Sequence, residues 1–160
     1  MNASTFNTVS PHVSRPVAAV FFAGLVCGAM DITAAFVTWA IQGIGPVRIL
    51  QGIAYGLIGP RSFQGGPATA VLGAALHFLI AFSAATVFYL ASRKLSFMLH
   101  HPVLSGALYG VSVYIVMYWI VMPLSRFHPT HTVTASIIAI ITHIVCVGLP
   151  ISLIVRRYSA

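Results

Sequence analysis

Asp31 is the only acidic side chain among 160 residues. It sits in VCGAMDITAAFV, a stretch apolar enough for hydrocarbon. A lone carboxylate in a membrane helix is costly, and such residues turn toward a protein interior or a water-filled cavity. His77 in AALHFLI and His143 in IITHIVC lie in similar surroundings. Spacing adds two thiols. Cys27 stands four residues before Asp31 and Cys146 three after His143, so each pair projects from one side of a helix. Four chemistries are open to Asp31, His77, His143, Cys27 and Cys146. The carboxylate can accept a hydrogen bond from either imidazole and fasten helices together. The same groups can relay protons, as intramembrane Asp and His do in pumps. His77 and His143 can ligate a haem axially. His77, His143 and Cys146 are also ligand types for zinc or copper, although i,i+3 pairs lack the tight loop spacing of strong zinc motifs. For the two thiols, apolar packing is the simplest role. Arg48, beyond the first apolar run, could reach the bundle mouth and counter Asp31.

Other chemistry is excluded by what is missing. The chain holds no nucleophile–base set, no Gly-rich phosphate loop and no second carboxylate. It therefore cannot perform two-carboxylate chemistry or build a Mg²⁺ or Ca²⁺ cage alone. An enzyme acting by itself is not expected.

The elements that must position these groups follow from composition. Apolar residues make up 59% of the chain and charged residues 6%, with a mean hydropathy of +0.97. A soluble domain carries about 25% charged residues, so the long uncharged runs read as transmembrane helices. The net charge of +7 comes from eight Lys/Arg against one Asp. These cations stand singly or in pairs at the ends of apolar segments, as membrane-flanking charges do. They form no single basic face for nucleic acid. The two cysteines lie inside apolar segments and do not make an extracellular disulfide framework. Positions 1–15 form a polar tail, and the apolar run that follows is longer than a signal-peptide core, so it reads as an uncleaved signal-anchor.

Spans are expected at 16–41, 67–92, 103–122 and 133–155. Segment 46–58 is too short to cross and fits an interfacial or re-entrant helix. Four spans place both ends of the chain on one side. With the N-terminus inside, that side holds Arg15, Arg93, Lys94, Arg156 and Arg157, and the other holds Arg48, Arg61 and Arg126. The bias favours an N-in/C-in orientation. Asp31, His77 and His143 each lie ten residues from the outer end of their span. At 1.5 Å per residue that is about 15 Å, near the middle of the hydrocarbon.

Helical spacing also predicts which faces look inward. Gly66, Ala70, Gly73, His77, Ala81 and Ala84 form one stripe on the second span; Gly24, Gly28, Asp31, Ala35 and Thr38 form another on the first. Gly106 and Gly110 open the third span in the same way. Small residues at this spacing let backbones approach, and polar groups among them bond across the contact. The same glycine faces could serve a second copy or a partner subunit. His100 and His101 read as part of an inner headgroup patch, and His128 and His131 as outer loop residues. Tyr114, Tyr118 and Trp119 fit an interfacial aromatic belt.

The motif order GLVCGAMDITAAFVTW, ALHFLIAFSAATVFYLASRKL, HPVLSGALYGVSVYIVMYWIVMPLS and THIVCVGLPISLIVRR resembles small bacterial inner-membrane proteins of the YagU type. The resemblance covers most of 17–157 and implies a four-span architecture in a bacterial inner membrane. It implies no activity. The expected fold is an all-α membrane protein: a four-transmembrane-helix bundle in the lipid bilayer, with a short interfacial or re-entrant helix after the first span. Its expected function is a buried Asp/His centre that fastens the bundle or relays protons. The alternatives are an accessory subunit of a larger membrane complex, or a haem- or metal-binding redox protein.

Overall fold

A computed structural model describes residues 15–126 and 132–159. The polar tail before Arg15 and the loop histidines His128 and His131 lie outside the described residues. The described residues form an all-α four-helix membrane bundle: α1 (Arg15–Ala40), α3 (Gly66–Lys94), α5 (Pro102–Leu124) and α6 (Val133–Ser159) are each long and apolar enough to cross a bilayer. Between α1 and α3 come α2 (Pro46–Ile58) and a 3₁₀ turn (Gly59–Phe63); a single turn, α4 (Phe97–His100), links α3 to α5. The lipid-facing surfaces are apolar, with Val71, Leu79, Val87 and Leu90 all exposed on α3.

The helices overrun the expected boundaries at their basic ends. Arg93, Lys94, Arg156 and Arg157 belong to helices, where cations are favourable beside the last carbonyls. Pro123 does not end its helix at Met122 as expected. A π turn, Met117–Val121, stands immediately before it, and the Met122 N–H donates five residues back to Met117 O. A second π turn, His143–Gly148, stands before Pro150 in α6, where the Leu149 N–H donates to Ile144 O. Proline cannot donate in the helix ladder, and its ring crowds the carbonyl four residues back. Widening the preceding turn accommodates the ring, and the helix continues.

Packing runs around the bundle from α3 to α1, α1 to α6 and α6 to α5. Tyr109 of α5 closes the ring by donating to Ala84 O of α3 at 2.7 Å and setting its edge against Phe88. Ala23, Cys27, Ala81, Ala85, Phe88, Val147, Ile151 and Val155 form the core, so it sits in the half where α1 begins and α3 and α6 end. The other half is looser on its α6 side, where no residue between Val133 and Thr142 is buried. Segment α2 lies along the first half of α3, with Leu50 over Gly73 and buried Gln51 donating to Gly66 O at 3.0 Å. The Arg126 N–H donates to Gly56 O at 3.0 Å, so the end of α5 clasps α2.

The closest contact joins α5 to α6. A Cβ on Gly148 would meet Gly106 O and the Gly110 backbone, and one on Gly110 would meet His143 O and Ile144. Ser152 adds a bond across the same contact, donating to Pro102 O at 2.8 Å. Of the glycines in the expected stripes, Gly24, Gly28, Gly73, Gly106 and Gly110 are thus covered by another element of this chain. Gly148→Ala should lower stability by about 1–3 kcal/mol through overpacking, measured by unfolding in mild detergent. Gly52→Ala, where nothing lies within 4 Å of the added methyl, should be neutral or stabilising in the same assay.

Candidate functional site

On α1, Gly24 and Gly28 turn toward α3, where a side chain at either would meet Phe82 or Phe78. The missing side chain at Gly28 also leaves its carbonyl open to α3, and His77 uses it: Nε2 lies 2.9 Å from Gly28 O. A carbonyl only accepts, so Nε2 carries the hydrogen, and in the neutral ring Nδ1 keeps the lone pair. The imidazole edge rests against Phe78 with ring centres 5.4 Å apart. His77 is therefore an α1–α3 fastener.

His143 makes its bond within its own helix. Nδ1 donates to Ala139 O at 2.8 Å, four residues back, which leaves Nε2 as the acceptor of the neutral ring. Its ring stands edge-on to Tyr114 and Tyr118, with centres 6.0 and 6.4 Å away. Those two tyrosines are 4.6 Å apart. Tyr118 and His143 each belong to one of the two proline-linked π turns, so both helices are widened where these rings meet.

Asp31 lies one turn beyond Cys27 and is half-buried. The hydrogen bond it was expected to accept from His77 or His143 is not made, because backbone carbonyls take both imidazoles. No hydrogen bond or ion pair to Asp31 occurs among the described residues. Its carboxylate lies within electrostatic reach of Cys27, Cys146 and Tyr118. The rings of Tyr114, Tyr118 and His143 meet directly, Asp31 acts on Tyr118 and Cys146 only through its charge, and His77 is held to α1 at Gly28.

The other expected participants are placed as follows. Cys27 is buried, and its thiol points at Gly24 O and Ala81 O, 3.5 and 4.0 Å away. Cys146 is half-buried and borders a shallow groove between α1 and α6, lined also by Met30, Thr33, Val37 and Thr38. The two threonine hydroxyls donate to Ala29 O and Ala34 O in their own helix, so the groove is apolar in effect. Arg48 does not counter Asp31. Its guanidinium lies 3.6 Å above the Phe63 ring, a cation–π contact that holds α2 to the 3₁₀ turn.

The haem reading needs His77 and His143 to face each other, but α1 packs against both α3 and the His143–Gly148 turn. Among the described residues, no three His, Cys, Asp or Glu side chains gather as a metal site.

Tyr118, expected in an aromatic belt, also meets the His143 ring. The signal was present in the spacing: Gly106, Gly110, Tyr114 and Tyr118 recur every four residues, and the two glycines mark the face that meets α6. The chain matches no protein-family model, and no curated protein or solved structure is similar to it.

His77→Leu should lower thermal stability in detergent by about 1 kcal/mol, the usual worth of one interhelical hydrogen bond in lipid. An unchanged midpoint would remove the fastening role.

Proposed function

We propose that this protein resides in a bacterial inner membrane, with Arg15 and Ser159 on the cytoplasmic side, and relays protons through Asp31, Tyr118 and His143. One observation carries the reading. The sole carboxylate is half-buried in a membrane span and bonds to no side chain or backbone group among the described residues. Fastening of the helices falls to His77, the glycines and Ser152 instead. A membrane carboxylate without a structural partner has its cost to recover in function, and a proton neutralises it most simply.

The neighbouring groups suit that cargo. Tyr118 is near both Asp31 and His143, and a phenol hydroxyl can take up one proton as it gives another away. The Nε2 of His143 is an acceptor in the tautomer set by Ala139 O. The looser packing of α6 between Val133 and Thr142 leaves room for water to approach from the end opposite the core. The orientation rests on the excess of cations at the end that holds Arg15, Arg93, Lys94, Arg156 and Arg157.

A second reading, an accessory subunit of a larger membrane complex or a homo-oligomer, is favoured by the apolar groove between α1 and α6. Co-purification of a stoichiometric partner in mild detergent would support it.

The test of the relay is flux in liposomes under an imposed pH gradient. Asp31→Asn should keep its thermal midpoint, because no bond is lost, and should fall to the leak of empty vesicles. Tyr118→Phe and His143→Gln should slow flux without unfolding the protein. Wild-type flux in the Asp31→Asn variant would overturn the reading.

A further inference from the structure

One end of the bundle carries cations that no part of the described chain neutralises. Arg93 and Lys94 close α3, and Arg156 and Arg157 lie in the last turns of α6. All four are exposed, and none makes a hydrogen bond or ion pair among the described residues. The only acidic side chain, Asp31, lies far along α1.

The turn α4 lies among these charges, in contact with α3, α5 and α6. Met98 and Leu99 pack inward on the core. Leu95 and Phe97 point outward, 57% and 48% exposed, and Leu153 is exposed just before the two arginines. Apolar side chains beside free guanidinium and ammonium groups are the composition of a surface that meets the acyl–headgroup boundary. Helix ends place the cations at the depth of phosphates, which guanidinium groups bind with two parallel hydrogen bonds.

We propose that Arg93, Lys94, Arg156 and Arg157, arranged around the Phe97–His100 turn, form a binding site for the headgroup of an anionic phospholipid. The apolar residues select a lipid over a free anion, and four cations with no acidic side chain among the described residues around them select an anionic headgroup over a zwitterionic one. The proposal does not depend on the proton relay, because its readout is lipid retention rather than flux.

The experiment compares lipids on the full-length protein in neutral detergent, by native mass spectrometry and thermal unfolding. Phosphatidylglycerol should remain bound and raise the midpoint. Phosphatidylcholine with the same acyl chains, and inorganic phosphate, should do neither. Each charge removed should weaken binding about fivefold, so R93Q/K94Q and R156Q/R157Q should each weaken it by more than tenfold. The control R48Q/R61Q, at the opposite end, should retain full binding. Equal retention of the two lipids, equal stabilisation by phosphate alone, or an equal loss in the control would overturn the site. Should either double variant fail to fold, the single variants Lys94→Gln and Arg157→Gln carry the same comparison.

Discussion

In lipid, two helices gain nothing hydrophobic by exchanging acyl tails for each other, so short-range contact and hydrogen bonding must hold them. The bundle meets this constraint by bringing backbones together where glycine leaves nothing between them. Gly106 and Gly110 of α5 lie against Gly148 of α6, and Gly28 of α1 lies against Phe78 and Ala81 of α3. Each approach exposes a polar group to a partner. The Gly28 carbonyl receives His77 and the Pro102 carbonyl receives Ser152. Dispersion and hydrogen bonding thus act at the same points, and the core of small residues forms around them.

The second half of the bundle depends on proline. Pro123 and Pro150 each follow a π turn, and those turns carry Tyr118, His143 and Cys146. A regular helix would present a different register of side chains from that point on, since each π turn shifts the following face by about one residue. The rings of Tyr114, Tyr118 and His143 meet where both helices are widened. Asp31 faces this looser region from α1, beyond the last tightly packed turn at Cys27 and Gly28. The tightly packed half fixes how the helices lie, and Asp31, Tyr118 and His143 sit beyond it.

The two ends of the bundle are also built differently. At the end where α1 finishes, α2 and the 3₁₀ turn lie over α3, and the Arg48 guanidinium there sits on the Phe63 ring. At the other end, Arg93, Lys94, Arg156 and Arg157 are exposed. The sequence counts both kinds of cation alike; only the fold shows that Arg48 lies on a ring.

Much of this was readable along the chain. Hydropathy marks the four spans, because burial in lipid is a property of each segment by itself. Helical spacing marks the glycine stripes, because neighbours on one face recur every three or four residues. The partner of each face was not readable. The lower part of the α3 stripe, at Gly73, serves α2, while its His77 serves α1. His77 was expected at Asp31 and instead reaches the Gly28 carbonyl, because its distance to either depends on how two helices lie against each other. Tyr118 looked like an interfacial residue until the Gly110–Gly148 contact turned its face toward His143. Local sequence states what each helix can offer; the relative height and rotation of four helices, set jointly by all their contacts, settle which offers meet.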